Sequence, residues 1–104
     1  MVKRKFYVPI YDHYIHVMVE NEIEECSAHV SFSEENKALY VVFDKNKITP
    51  SLIVHETVHI VNRLFIFKGV ELDAKNDETQ AYLTEYVFDK LTEITEKLIL
   101  ARDL

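Results

Sequence analysis

The clearest chemical signal in this chain is the pentapeptide His55-Glu56-Thr57-Val58-His59. Two histidines four residues apart lie on one face of an α-helix, where both imidazoles can bind a single metal ion about 2 Å away. Glu56 is rotated by about 100° from His55, so its carboxylate would lie beside such a metal and could accept a proton from a metal-bound water. A catalytic zinc ion keeps three protein ligands and one open position, so a third ligand is expected elsewhere.

An acidic side chain downstream of the pentapeptide is the expected third ligand. Glu78 is the first candidate because it follows His59 by 19 positions, a distance that lets a second helix cross back towards the histidines. Glu85 is the alternative, two turns further along the same helical face. The remaining alternatives are the loop acids Glu71, Asp73 and Asp77. The helix dipole alone also favours an acidic residue in a first turn, which is the structural explanation for Glu78.

The pentapeptide lies in a segment with complete helix signals. Thr49 is a good N-cap, Pro50 suits the first helical turn, and Gly69 can adopt the left-handed conformation that ends a helix. We therefore predict a helix over residues 50–67, with apolar residues around most of its circumference, which indicates a central helix covered on several sides. The chain's own composition would produce about 0.03 such pentapeptides by chance, so a metal site is favoured over a buried histidine pair.

Strands are predicted before this helix. Aromatic and β-branched residues predict strands over residues 5–10 and 14–19, joined by a hairpin at residues 11–13. A nearly continuous apolar run predicts a buried strand over residues 38–43. The acidic segment 20–29 is assigned to a short helix.

A second long helix is predicted to begin at Asp77, since Asp77 and Gln80 form a capping-box pattern. Its apolar stripe consists of Ala81, Val87, Phe88, Leu91, Ile94 and Leu98. Strands followed by helices predict one α+β domain over residues 1–104. In this domain a small antiparallel or mixed N-terminal sheet packs on the central helix and on the second, C-terminal helix.

Composition favours a core that needs no disulfide and disfavours several classes of partner. The 104 residues are 48% apolar and 12% aromatic, enough to bury a core without structural metal. A formal charge of -6, with 18 acidic against 12 basic residues, argues against a nucleic-acid partner. No apolar run reaches the roughly 18 residues of a membrane span, and no signal peptide is recognised, so we expect a cytoplasmic protein without a membrane partner.

The pentapeptide, followed by the segment Asp77-Glu78-Thr79-Gln80-Ala81-Tyr82, resembles the gluzincin pattern of an HExxH helix and a glutamate on a second helix. The compact spacing is similar to that of the smallest members: the minigluzincins, the ImmA/IrrE-type peptidases and small HExxH proteins encoded by phages. The resemblance covers about residues 40–87. It implies a zincin-like fold.

The resemblance also implies a zinc-dependent metallopeptidase. In that interpretation His55, His59 and Glu78 bind Zn²⁺, and Glu56 is the general base that takes a proton from the attacking water and returns it to the leaving amine. The substrate would be a peptide or a protein, and a single dedicated protein partner is also compatible with the pattern.

Larger gluzincins add a tyrosine or histidine that stabilises the oxyanion. Tyr82 and Tyr86, one and two turns after Glu78, are the candidates for such a phenol, with Tyr40 as a further possibility; core packing is the structural explanation. The resemblance further implies that a substrate peptide pairs with an edge strand above the active-site helix, and residues 40–43 are the candidate strand.

Two other classes of function fit the sequence. One is a non-catalytic zinc-binding structural or interaction module, such as a component of a phage particle or complex, because no additional domain is seen to form the far wall of a protease cleft. The other is a metal-free α+β domain. The sequence determines neither the substrate nor the oligomeric state.

Overall fold

Residues 2–103 are described by a computed structural model, with side chains described for residues 2–100. Within this range the chain forms a mixed sheet and two long helices, which confirms the predicted α+β class. The strands are β1 (Val2–Val8), β2 (His13–Glu20), β3 (Ala28–Phe32) and β4 (Leu39–Asp44). A short 3-10 turn (Lys45–Lys47) precedes helix α1 (Pro50–Lys68) and helix α2 (Glu78–Asp103).

The strands lie in the order β1-β2-β4-β3. β1 pairs with β2 and β3 pairs with β4 in antiparallel fashion, whereas β2 and β4 are parallel neighbours. β4 is therefore an interior strand, and β1 and β3 are the edges. This position explains the continuous apolar run predicted for residues 38–43, since Leu39, Val41 and Phe43 are fully buried and Val42 is 7% exposed.

Two sequence-based assignments are corrected by the sheet. The predicted strand over residues 5–10 lies earlier, because residues 9–12 form the turn of the hairpin and Asp12 has a positive φ of 48°. The predicted helix over residues 20–29 is absent from the described structure: residues 21–27 form a loop that leads into β3. Pairing of β3 with β4, a long-range interaction, overrides the weak local preference of this acidic segment.

The core lies between one face of the sheet and both helices. Alternate residues of β2 point into it, so Ile15, Val17 and Val19 are fully buried. The helical contribution to the same cluster comes from Ile53, Ile60, Val61, Leu64, Phe65, Leu83, Val87, Leu91, Ile94 and Leu98. α1 contacts β3 and α2, while α2 contacts β1 and β2, so each helix covers its own half of the sheet.

Helix α1 begins and ends as predicted. Thr49 Oγ1 accepts a hydrogen bond of 3.1 Å from the Leu52 backbone N–H, Pro50 is the first helical residue, and Gly69 has the left-handed φ of 69°. The expectation of a helix covered on several sides is wrong, since Val54 and Val58 are 47% and 45% exposed. The helix is buried where it faces the sheet and α2, and it is open on the side that carries the histidines.

Helix α2 begins directly after Asp77, whose carbonyl accepts a 2.9 Å hydrogen bond from the Ala81 N–H. This confirms the predicted start. The buried stripe differs from the expected one in part: Leu83 and Thr95 are buried, whereas Ala81 is exposed and Phe88 is only partly buried. Within residues 2–103, neither helix is long and apolar enough to cross a membrane.

Candidate metal centre and cleft

A cleft of about 470 Å³ separates strand β3 from helix α1. We call it the β3–α1 cleft. Its strand wall consists of β3 residues, and its helix wall carries His55, Glu56, His59, Asn62 and Arg63. Each of the other four residues lies three or four positions from His59, a spacing that places these side chains on neighbouring parts of one helix face. The cleft therefore holds the pentapeptide histidines, the glutamate between them and a sheet edge.

The two histidines of the pentapeptide converge at one end of the cleft. Nε2 of His55 lies 3.3 Å from Nε2 of His59, with the rings inclined at 74°. Two ligand atoms, each about 2.05 Å from a tetrahedral zinc ion, lie about 3.3 Å apart, so this pair has the spacing of one edge of a zinc tetrahedron. An N–H···N hydrogen bond between the rings is the structural alternative for the same distance. The His55 side chain is 66% exposed and open to an incoming ion.

Glu56 is almost completely buried beside this pair. Its residue exposure is 3%, and Oε1 lies 4.0 Å from His55 Nε2. In the part of the chain that the structure describes, no group donates a hydrogen bond to Oε2, which is itself buried. A buried carboxylate oxygen without a donor is costly, so this atom needs a hydrogen-bonding partner. A water held by a metal at the histidines would supply that partner, so two of the three ligands that a catalytic zinc ion needs are close together in this structure.

Glu78 is not brought to the histidines. It is the first residue of α2 and is exposed, pointing about 180° away from the buried stripe of that helix. Among residues 2–100, no three or more histidine, cysteine or acidic side chains are arranged to hold a metal ion. The assignment of Glu78 as third ligand stays a prediction.

The alternative third ligands occupy two other places. Asp77 and Glu85 line a groove between α2 and the exposed face of α1 that carries Val54 and Val58, about 60–100° around α1 from His55. The loop acids Glu71 and Asp73 are exposed, and Asp73 Oδ1 accepts a 2.9 Å hydrogen bond from the Lys75 N–H. Asp77 and Glu85 are thus the alternatives that border α1.

The predicted oxyanion tyrosines lie on the wrong face of α2 for this site. Tyr82 and Tyr86 line an apolar pocket with Ile10 and Tyr11 of the β1–β2 turn. The Tyr86 hydroxyl donates a 2.8 Å hydrogen bond to the Tyr7 carbonyl, and Tyr82 is 68% exposed. Residues 79, 82, 83 and 86 form the face of α2 opposite to the one that borders α1. This placement argues against a catalytic role for either phenol.

The candidate substrate strand is also corrected. Residues 40–43 belong to β4, whose backbone is paired with β2 on one side and β3 on the other, so β4 cannot accept a peptide. The edge strand above the histidine helix is β3. The alternation of Ala28, Val30 and Phe32 in the sequence is the signal that could have identified it.

Sequence reasoning also missed the polar end of the cleft. Asn62 and Arg63 follow His59 by three and four positions, a spacing that places all three on one helical face. The Arg63 guanidinium carbon lies 3.7 Å from the centre of the Phe32 ring, which joins the helix wall to the strand wall. His29 of β3 also borders the cleft, although strand alternation directs its side chain to the sheet face opposite to that of Ala28 and Val30.

The histidines outside the cleft are held by other contacts. His13 Nε2 lies 2.7 Å from the Lys37 carbonyl oxygen, and burial lowers the pKa of His13 below its ordinary value. Burial and the nearby Lys5 ammonium lower the pKa of His16, whose ring stacks on Tyr40 at 4.9 Å. Both lie away from the pentapeptide and serve as controls for it.

Comparison with known proteins adds no relative. No protein-family model, curated protein or solved structure matches this chain significantly. Any assignment of function therefore rests on the geometry of the β3–α1 cleft and on the motif that lines it.

Proposed function

We propose that this protein is a zinc-dependent metallopeptidase whose active site is the β3–α1 cleft. The observation that carries the proposal is the pair of Nε2 atoms 3.3 Å apart on His55 and His59, beside the buried and unpartnered Oε2 of Glu56. Packing explains neither feature, since the histidines are exposed and Oε2 of Glu56 is buried without a donor among the described residues. Together they match the needs of metal-assisted hydrolysis.

Each residue of the site has a chemical role in this proposal. His55 and His59 would hold Zn²⁺ through Nε2, and the ion supplies Lewis-acid activation of water and of a peptide carbonyl when bound. Glu56 accepts the proton of the attacking water at its carboxylate and then transfers it to the leaving amine. Burial keeps this carboxylate free of competing donors. The open edge of β3 pairs with the backbone of an extended peptide and thereby aligns it with the histidines.

The third zinc ligand is proposed to come from the first turns of α2. Glu78 is the first candidate on the strength of the gluzincin resemblance. Asp77 and Glu85 are the alternatives, because both line the groove that borders α1 next to the pentapeptide. Zinc binding would then require the beginning of α2 to turn or shift towards the histidines.

Zinc binding to purified protein tests the site. We expect one Zn²⁺ per chain by elemental analysis and by calorimetric titration, with affinity lowered more than about 100-fold in His55→Ala and His59→Ala, since changes outside the ligand shell alone cost up to about that much. His16→Ala is the matched control and should bind zinc normally. Zinc retention by both pentapeptide variants would contradict the site.

Single substitutions at and near the start of α2 distinguish the three acidic candidates for the third zinc ligand. The variant among Glu78→Gln, Asp77→Asn and Glu85→Gln that lowers zinc affinity as strongly as His55→Ala identifies the third ligand. Peptide cleavage by the zinc-loaded protein then tests the enzymatic part. Zinc binding without cleavage of any member of a diverse peptide library would favour the alternative function, a non-catalytic zinc-binding interaction module.

A further inference from the structure

The β3–α1 cleft contains a cation, Arg63, that forms no ion pair with any described residue. Arg63 is half-buried, and its guanidinium carbon lies 3.7 Å from the Phe32 ring centre and 5.9 Å from the Phe67 ring centre. In the described part of the chain, no carboxylate forms an ion pair with Arg63. This is notable in a protein of net charge -6, where acidic side chains outnumber basic ones by 18 to 12. The aromatic platform leaves the planar edge of the guanidinium, with its N–H donors, available to a ligand.

The two ends of the cleft define its direction. Ala28 of β3 lies with Leu52 and His55 at one end, and Phe32 of β3 lies with Arg63 at the other, so β3 and α1 run in the same direction. Arg63 is six residues beyond the midpoint of the histidine pair, a rise of about 9 Å along the helix. An extended peptide covers that distance in about three residues.

We propose that Arg63 forms a carboxylate-binding subsite, which selects peptides that carry an acidic side chain about three residues from the bond placed at the histidines. An arginine fork binds a carboxylate through two parallel N–H···O bonds, which gives both charge and orientation selectivity. The inference rests on the proposed function, since the histidine pair marks the position of the reacting bond.

The orientation of the peptide follows from the sheet edge. Antiparallel pairing is the more stable arrangement, so a peptide added to β3 runs opposite to it, from the Phe32 end to the Ala28 end. Arg63 then faces residues on the amino-terminal side of the reacting bond, where the only carboxylate is a side chain of aspartate or glutamate. A free carboxyl terminus could reach Arg63 only if the peptide ran parallel to β3.

Peptide binding to the zinc-supplemented Glu56→Gln protein tests the subsite without turnover. The probes are three fluorescein-labelled extended peptides of one sequence, measured by anisotropy: an amidated peptide with a single glutamate, its glutamine counterpart, and the glutamine peptide with a free carboxyl terminus. We expect the glutamate peptide to bind about tenfold more tightly than its glutamine counterpart, the gain typical of a hydrogen bond to a charged group. The preference should fall as salt is raised.

Variants at Arg63 assign the preference. Arg63→Gln in the same background should abolish the preference, Arg63→Glu should reverse it in favour of the glutamine peptide, and Arg4→Gln on the distant edge strand β1 should retain it. Thermal unfolding shows whether each variant folds, and Arg63→Lys keeps the positive charge if loss of the Phe32 contact unfolds the others. Equal binding of the glutamate and glutamine peptides, or a preference that survives in Arg63→Gln, would overturn the inference. A gain restricted to the free carboxyl terminus would also overturn it.

Different results would refute the peptidase proposal and the Arg63 subsite proposal. Acid-selective binding that depends on Arg63, in a wild-type protein that cleaves nothing, would refute the peptidase and leave the subsite. Cleavage of the acidic and neutral peptides at equal rates would refute the subsite and leave the peptidase.

Discussion

Two buried carboxylates, Asp44 at the end of β4 and Glu56 in the β3–α1 cleft, lie in environments that differ in their hydrogen-bond donors. Asp44 is 1% exposed and accepts hydrogen bonds from the backbone N–H groups of Ile23 and Asn46, with Lys47 Nζ 3.7 Å away. Glu56 is 3% exposed, and its Oε2 has no donor in the described structure. Asp44 closes a loop onto the sheet, whereas Glu56 has an oxygen free for a ligand or a reacting water. Partners, not burial alone, separate a structural carboxylate from a candidate base.

The same distinction applies to the tyrosines of α2 and the arginine of α1. The Tyr86 hydroxyl has an internal acceptor in the Tyr7 carbonyl, and its ring centre lies 6.4 Å from that of Phe6. Arg63 has an aromatic neighbour in Phe32 but no anionic partner in the described residues. We therefore assign a structural role to Tyr86 and propose a ligand-binding role for Arg63.

The largest expected effect is the loss of peptide cleavage when the carboxylate of Glu56 is replaced. Glu56→Gln should reduce peptide cleavage by about 10²- to 10⁴-fold, the usual contribution of a general base, while zinc affinity stays close to that of the wild type. Cleavage rates and calorimetric zinc binding measured on the same preparations check both parts. The control is Glu96→Gln on the exposed side of α2, which should leave both unchanged. Full activity of Glu56→Gln would remove Glu56 from the mechanism.

Neutralising Asp44 and neutralising Glu56 should change the melting temperature in different directions. Asp44→Asn should lower Tm, because an amide is a weaker acceptor than a carboxylate for the N–H groups of Ile23 and Asn46 and its NH₂ group cannot accept. Glu56→Gln should leave Tm unchanged or raise it, because it replaces a carboxylate whose buried Oε2 has no donor in the described structure by a neutral amide. Circular dichroism melts of both variants at neutral pH provide the test, and a large loss of Tm in Glu56→Gln would show that its carboxylate has a structural partner.

The stabilising effect of Asp44 should depend on pH in a defined direction. Hydrogen bonds from the Asn46 and Ile23 backbones hold the pKa of Asp44 below its ordinary value of 3.8. A carboxylate with a lowered folded-state pKa contributes stability above its unfolded pKa and loses it as the pH falls through the folded value. The difference in Tm between wild type and Asp44→Asn should thus be largest above about pH 5 and should shrink below about pH 3. A difference that grows on acidification would have the wrong sign.

The smallest effect is expected on stability when the hydrogen-bonded hydroxyl of Tyr86 is removed. Tyr86→Phe removes the 2.8 Å hydrogen bond to the Tyr7 carbonyl and should lower the free energy of unfolding by about 1 kcal/mol. Zinc affinity and cleavage should not change, because this hydroxyl faces the β1–β2 turn. Chemical denaturation gives the first quantity, and a loss of cleavage in a fully folded Tyr86→Phe protein would restore the catalytic role that its position argues against.

Local signals in the sequence predicted the histidine helix closely. Its start at Pro50, its end before Gly69 and the convergence of His55 with His59 depend on contacts within a few residues, so the pattern of residue types was sufficient. The same holds for the α+β class and for the start of α2 after Asp77.

Local signals did not predict which strands pair with each other or which side of α2 faces the core. The edge position of β3 depends on pairing between residues 28–32 and 39–43. The residue types of the acidic loop before it did not exclude a helix, so the sequence alone did not indicate this strand. Tyr82 and Tyr86 have the spacing of candidate phenols, but the buried stripe of α2 turns them towards the hairpin. Glu78 is turned to solvent by the same stripe.

By itself, the sequence determined which residues share a helical face, because that depends on the 100° rotation per residue of an α-helix. The histidine pair and the glutamate beside it therefore followed from the pentapeptide. Only the tertiary structure decided what each face meets. The packing of α1 against β3 placed a free sheet edge beside the histidines, brought the Phe32 ring against Arg63 and left Oε2 of Glu56 buried without a donor in the described structure, because such contacts arise from residues distant in the chain that burial of the core brings together.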